Sequence, residues 1–234
     1  MKKVLLAWSG GFDSTAAAIK MLNDGFAVNA VYLKLGNNSV KIKRELEAID
    51  RLIPLLSKDN KPFRYIGSCG LDGVRGNENS ISKQPPIWAF LAPLKYTDED
   101  YFAFGYIRHD DFWHMEGDFR RALSANFKFA KGENTVPDTW YPVEIERKPD
   151  ILKMIMEYDP EIFKHCTSCE SVNKNLKYND ICCECETCIK LMNGVVEAGY
   201  VEKLPGRIVG NWFEYYLKLQ EIIQERSQVS CLKN

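Results

Sequence analysis

The chain has 234 residues, enough for one sizeable core with a small appendage but short for two full domains. Its 45% apolar and 27% charged residues are those of an ordinary globular protein. A formal net charge of −1 gives no sign of the strongly basic surface that binding to a phosphate backbone usually needs, although Lys41 to Arg64 is locally basic. There is no run of about 18 apolar residues to span a bilayer, and the apolar run after Lys2 and Lys3 is too short for a secretory core, so a soluble cytoplasmic protein is expected.

In chain order, Val4–Trp8 is a short apolar run bounded by Ser9, Gly10 and Gly11, and Thr15–Leu22 has helical spacing. The unit repeats as a strand at Ala27–Leu35, a Gly36-Asn37-Asn38 turn and a helix at Val40–Leu56, where Ile42, Leu46, Ile49, Leu52 and Ile53 mark one face. Phe63–Ile66 reads as a third strand, followed by a long polar loop to Gln84 of the sort that covers a substrate. A helix at Ile87–Lys95, a strand at Tyr101–Ile107, a helix at Asp118–Ala130, a strand at Trp140–Ile145 and a short helix at Pro149–Tyr158 complete the alternation. Five strands alternating with helices predict an α/β fold, a parallel five-stranded sheet flanked by helices.

The expected division is a core over residues 1–160, a cysteine-rich annex over 161–200 and a helical extension over 201–234. In the extension, Asn211–Gln228 carries an apolar stripe from Trp212 to Ile223 that packs on the same domain or, in the alternative, on a second copy in a homodimer.

Ser9, Gly10, Gly11, Phe12, Asp13, Ser14 and Thr15 lie at the end of the first strand and open the first helix, where open α/β sheets bind ligands. Two glycines let the backbone turn its N–H groups toward an anion. The helix N-terminus adds partial positive charge, and the hydroxyls of Ser9, Ser14 and Thr15 supply further donors, so a pyrophosphate fits. An ordinary tight turn capped by Asp13 is the plain alternative. The required Gly-Lys-Ser/Thr of a Walker A loop is missing.

Six of the eight cysteines fall between Cys166 and Cys188, which in a chain without an export signal points to metal rather than to disulfides. Cys182, Cys185 and Cys188 form C-x-x-C-x-x-C, and one upstream thiolate, from Cys169 or Cys166, completes a four-sulfur zinc site. Cys183 is then a spare, and Cys69 and Cys231 are plain structural residues.

The S-G-G-x-D-S string directly after the first strand resembles the PP-loop of the N-type ATP pyrophosphatases, which implies an adenine nucleotide alpha hydrolase (HUP-like, Rossmann-like) fold and cleavage of ATP between its α- and β-phosphates. With Ser168-Cys169 followed by C-x-x-C-x-x-C, the chain is similar to the 7-cyano-7-deazaguanine synthases, the QueC family. Glu45-Leu46, Gly105 followed by Asp110, and Pro142 with Lys148 occupy positions similar to landmarks of that family. The resemblance implies Cys169 as the fourth zinc ligand beside Cys182, Cys185 and Cys188. ATP, Mg²⁺ and Zn²⁺ are the implied cofactors.

The implied partners are a deazapurine carboxylate and ammonia, joined by an ATP-dependent carbon–nitrogen ligase of queuosine-type biosynthesis. Asp13 and Asp110 are the candidates for holding magnesium or orienting ATP, and Lys148 for stabilising the departing pyrophosphate. Trp88 and Trp113 are core residues or base-stacking platforms.

The family's Tyr-Gly-Gln, Pro-Gly-Arg-Asn and Tyr-Pro-Asp-Cys-Arg segments have no clear counterpart here. The last is replaced by Asp111–Gly117, and all three would frame the acceptor pocket. Two rival readings therefore stand beside the synthase: a tRNA-modifying enzyme of the same superfamily, a thiolase or lysidine synthetase, and a descendant that adenylates another carboxylate or only binds nucleotide.

Overall fold

The computed structural model describes residues 1–35, 38–70, 84–108, 110–132 and 136–204. The strands are β1 (Lys3–Ala7), β2 (Ala27–Lys34), β3 (Phe63–Gly70), β4 (Tyr101–Phe104) and β5 (Asp138–Trp140). All pair in parallel, in the order β3-β2-β1-β4-β5. The helices are α1 (Phe12–Asn23), α2 (Ser39–Leu56), α3 (Gln84–Lys95), α4 (Glu116–Lys131), α5 (Lys148–Tyr158), α6 (Pro160–His165) and α7 (Glu186–Ala198).

Alternation along β1 shows why the sheet needs helices on both faces. Val4 and Leu6 join a core that includes residues of α1, α2, α5, α6 and α7, whereas Leu5 between them joins one built with α3 and α4. All three are at most 2% exposed, so this central strand is dry on both sides, as parallel sheets require. The sheet order reverses between β1 and β4, the place where such folds bind ligands beyond the carboxyl ends of the strands. The expected parallel five-stranded sheet flanked by helices is the fold observed.

Several boundaries differ from expectation for local reasons. β3 continues four residues beyond Ile66 through Gly67-Ser68-Cys69-Gly70. Gly67 has φ +105°, and the pairing with β2 shifts register between Ala30 and Tyr32, so this loop-like sequence stays in the sheet through an irregularity. β4 stops at Phe104 rather than Ile107. β5 lies at Asp138–Trp140 instead of Trp140–Ile145, and the chain leaves the sheet at Tyr141-Pro142, where proline has no N–H to give the ladder. α3 is described from Gln84, with Pro85 and Pro86 in its first turn, where their missing N–H groups cost nothing. Of the loop expected between Ile66 and Gln84, residues 71–83 lie outside the described residues, as do the terminal helix expected at 211–228 and Cys231.

Candidate functional site

The glycine loop is shaped by two close approaches. Gly10 has φ +71°, a conformation L side chains rarely adopt, and a methyl there would lie 3.2 Å from Ile49 Cγ1 and 3.4 Å from Ala48 Cβ on α2. At Gly105, just after β4, a methyl would lie 2.6 Å from Ser14 Cα and 2.8 Å from Ser14 N, so only glycine lets β4 end against the first turn of α1.

Gly11 caps α1 in an extended conformation, and helix geometry leaves the N–H groups of Phe12, Asp13 and Ser14 without an intrahelical carbonyl. Ser14 Oγ donates to Gly11 O at 3.3 Å and accepts from Ser9 N at 3.3 Å, while Ser9 Oγ lies 3.2 Å from it and accepts from Gly11 N at 3.3 Å. The two serines thus brace the loop as well as facing the cavity. Thr15 is turned the other way: it is fully buried and accepts from Trp8 Nε1 at 3.1 Å. Phe12 packs edge-on against Phe163 with ring centroids 5.4 Å apart.

The loop opens into a cavity of about 650 Å³ lined by Ser9, Gly11, Phe12, Asp13 and Ser14, but not by Gly10 or Thr15. Lys148, the first residue of α5, reaches this wall, and its Nζ donates to both Asp13 oxygens at 2.5 and 2.7 Å. The two side chains are 17% and 29% exposed, a half-buried ion pair rather than a surface one. Asp110 also lines the cavity, and its Oδ2 accepts from Ile107 N at 2.9 Å. Burial holds its carboxyl above the usual carboxylate range, with the charge of Asp13 adding to the effect and the Ile107 hydrogen bond opposing it.

The side walls contain residues that sequence reasoning left without a role. Tyr32 on β2 donates to Glu45 Oε2 at 2.5 Å, and Lys41 pairs with Glu170 at 2.6 Å; all four line the cavity. Lys41 and Glu45 are one turn apart on α2, an i,i+4 spacing readable in the sequence, but only the fold reveals that this turn faces the site. Trp88 is 3% exposed and also lines the cavity. Trp113 instead donates through its indole to Ile107 O at 2.6 Å and meets the Tyr141 ring edge-on.

The cysteine segment is stitched directly to the loop. Thr167 N donates to Gly10 O at 3.1 Å, and Thr167 forms a parallel bridge with Gly11, two residues before Cys169. α2 clasps the stretch that follows, through Asn38 Nδ2 to Glu170 O at 3.3 Å and through Arg44, which donates to Ser171 O.

The sulfurs of Cys169, Cys182, Cys185 and Cys188 all lie within 4.8 Å of one another. A zinc–sulfur distance of about 2.3 Å sets tetrahedral sulfurs about 3.8 Å apart, so the four fit one ion. Backbone N–H groups of Glu184 and Cys185 donate to Cys182 Sγ at 3.4 Å, and Glu170 N donates to Cys185 Sγ at 3.5 Å, which suits charged thiolates. Cys185 and Cys188 hold the Cys169 thiol well below its usual range by hydrogen bonding, while the same contacts push Cys188 up, so the protons of the set are shared. Cys185 caps α7 and Cys188 sits in its first turn, where the helix dipole favours negative charge.

Of the two upstream candidates, geometry gathers Cys169. Cys166 is 1% exposed, bonded to Thr15, and burial pushes its thiol up to about 12. Cys183 stays out of the cluster with φ +58°, and His165 is engaged with Tyr178 at 2.6 Å.

Residues 1–65 match the family model described as Thiamine biosynthesis protein (ThiI). A 7-cyano-7-deazaguanine synthase from Nautilia profundicola is 26% identical over 88% of this chain and 98% of its own. A tRNA-specific 2-thiouridylase MnmA 1 from Aliarcobacter butzleri is 25% identical over 68% of this chain, and MnmA from Sulfurimonas denitrificans is 26% identical over 65%. The match spans about half the length of these two thiouridylases, 50% and 49%. Together these relatives support a QueC-like chain of the PP-loop superfamily. Among the described residues no helix is long and apolar enough to cross a membrane.

Proposed function

We propose that this QueC-like, ATP-using chain is a cytoplasmic 7-cyano-7-deazaguanine synthase. In this reading it converts 7-carboxy-7-deazaguanine, ammonia and two ATP to the nitrile, two AMP and two pyrophosphate. The observation that carries the reading is the serine-braced glycine loop at the carboxyl end of β1, with Lys148 held on Asp13 at the rim of a cavity large enough for two ligands. The relative aligned along nearly its whole length bears the same name. Residues 1–160 act as the catalytic core and 161–200 as a metal unit closing on it, while most of the extension expected over 201–234 lies outside the described residues.

The substrate carboxylate attacks the α-phosphorus of ATP, and the bond to pyrophosphate breaks. The N–H groups of Phe12, Asp13 and Ser14 and the dipole of α1 face the departing pyrophosphate, which leaves more negative than it arrived. Lys148 supplies a cation there, and because Asp13 already grips its ammonium, little reorganisation is needed as charge develops. Both Asp13 oxygens are occupied by Lys148, so Asp110, which lines the same cavity, is the carboxylate that would meet magnesium carried in with ATP. Magnesium would neutralise phosphate charge.

Ammonia then attacks the acyl carbon and AMP leaves, giving the amide. The amide oxygen then attacks the α-phosphorus of a second ATP, releasing a second pyrophosphate and one N–H proton, and loss of AMP with the remaining N–H proton leaves the nitrile. Cys169, Cys182, Cys185 and Cys188 would hold Zn²⁺ in a closed four-sulfur set, with no open position for substrate.

The test is incubation of the zinc-loaded protein with ATP, magnesium, ammonium and 7-carboxy-7-deazaguanine, following AMP by chromatography and the base by mass spectrometry. A nitrile with two AMP is expected. AMP that appears only with another carboxylate would sink the substrate assignment, and no AMP under any condition would leave a nucleotide-binding protein.

The thiouridylase relatives keep a second reading in play, modification of a tRNA base after adenylation. The net charge of −1 argues against it, and an absolute requirement for RNA in AMP release would favour it.

A further inference from the structure

The cysteine-bearing helix lines the cavity with Thr187 and Leu191, and it bears on the phosphate loop from behind through a glycine. α7 starts at the cluster and packs along α5, and Gly194, six residues past Cys188, is buried in that contact. A methyl at Gly194 would lie 2.5 Å from Lys148 Cγ, 3.1 Å from Lys148 Cβ and 3.2 Å from Leu152 Cδ1. The residue lies inside a regular helix and has no positive φ, so nothing in its own backbone asks for glycine. Glycine inside a helix costs roughly 0.5–1 kcal/mol relative to alanine, and what is obtained in return is room. The room is filled by the aliphatic stem of Lys148, whose ammonium ends on both oxygens of Asp13.

We infer that Gly194 is a positioning residue: by leaving a channel for the stem of Lys148 against α7, it holds the ammonium on Asp13 at the rim of the phosphate loop. The cysteine-bearing helix thereby sets the geometry of the nucleotide site. The inference rests on the proposed role of Lys148 for its effect on turnover, but not for the placement itself. The stem cannot swing aside cheaply, because the clash falls on Cγ and Cβ rather than on the mobile end of the side chain. Lys148 Cβ is fixed by the first turn of α5, where Arg147 caps the helix and Pro149 follows. A methyl at 194 therefore moves the ammonium.

The test compares Gly194→Ala, Lys148→Ala and the double variant in the zinc-loaded full chain. Acetylation of lysines read by mass spectrometry reports placement independently of turnover. Lys148 should label severalfold faster in Gly194→Ala than in the unaltered protein, with the exposed Lys43 unchanged as reference. AMP release should lose about tenfold or more in kcat, since a misplacement of about 1 Å can cost on the order of 100-fold, with KM for ATP little changed. In the Lys148→Ala background the glycine substitution should cost little further in kcat, because the 2.5 Å clash with Cγ is gone and only the milder contacts with Cβ and Leu152 remain.

Unchanged labelling of Lys148 in a folded Gly194→Ala protein, or losses that simply add in the double variant, overturns the inference. If Lys148→Ala alone releases AMP at the normal rate, the catalytic role of the lysine falls while labelling still decides the role of Gly194. Should Gly194→Ala not fold, recovery of folding in the double variant supports the inference, and failure of the double variant to fold refutes it.

Discussion

Alanine at Gly105 tests whether the phosphate loop is held by the close approach of β4 to α1. Its methyl would sit 2.6 Å from Ser14 Cα, 2.8 Å from Ser14 N and 3.0 Å from the carbonyl carbon of Asp13. Ordinary carbon–carbon contact is about 3.5–4.0 Å, so the shortfall is roughly 1 Å, and it falls on backbone atoms that no rotamer change can move. Overpacking of this kind costs about 1–3 kcal/mol, or roughly 2–12 °C of melting temperature at about 2–4 °C per kcal/mol in a chain of this size.

The larger effect is expected on chemistry. The atoms displaced carry the N–H groups and the Ser14 hydroxyl that would face the phosphates on the proposed reading, where a shift of about 1 Å costs on the order of 100-fold in rate. AMP release, calorimetric binding of MgATP and thermal unfolding would be measured together. Gly132→Ala is the matched control: Gly132 caps α4 with φ +65°, and nothing lies within 4 Å of where its methyl would go. It should lose about 1–2 kcal/mol of stability to left-handed strain and no activity. A folded Gly105→Ala protein with normal AMP release, or two variants with equal losses of rate, would refute the reasoning.

Asp110→Asn keeps an acceptor for Ile107 N while removing a charge that burial disfavours, so it should melt at or above the temperature of the unaltered protein and yet release AMP more slowly. The raised pKa also fixes the sign of a pH effect. If the carboxylate is the working form, AMP release falls as pH drops through a value above the ordinary aspartate range, and this limb should vanish from the residual activity of Asp110→Asn, as a pH–rate profile would reveal. Metal analysis should find one zinc per chain, and chelation or Cys188→Ser should lower the melting temperature by about 6–12 °C for a loss of about 3 kcal/mol. The same treatment should weaken MgATP binding, because Thr167, which pairs with Gly10 and Gly11, lies two residues from a ligand; intact affinity in the stripped protein would contradict that link.

The parts of the site legible in the sequence were those encoded locally. Glycines and serines next to an apolar strand announce an anion loop, and C-x-x-C-x-x-C announces three sulfurs of one cluster. The fourth ligand was ambiguous because Cys166 and Cys169 differ only in which way the chain turns. Cys166 faces Thr15 in the core and Cys169 faces the other sulfurs. The Lys148–Asp13 pair joins residues 135 apart, beyond the reach of any spacing rule, and the sequence suggested the lysine only through family resemblance.

Strand limits failed where tertiary contact overrode local pattern. β3 looked finished at Ile66 because glycine, serine and cysteine resemble a loop, and β4 looked longer because Tyr106 and Ile107 are apolar. Thr15 was read as a phosphate donor from its place in the motif, yet its hydroxyl accepts the indole of Trp8 in the interior.

The bridge between Gly11 and Thr167 carries a consequence for how the protein is made. At about 5–20 residues per second a ribosome needs roughly 8–30 s to extend the chain from one partner to the other. For most of that interval the glycine loop has been made but Lys148 has not, and Thr167 and the cysteine cluster come later still. On the proposed reading, competence to handle ATP would therefore arrive late in synthesis, and a chain truncated before the cysteine segment would lack a complete nucleotide site with which to waste it.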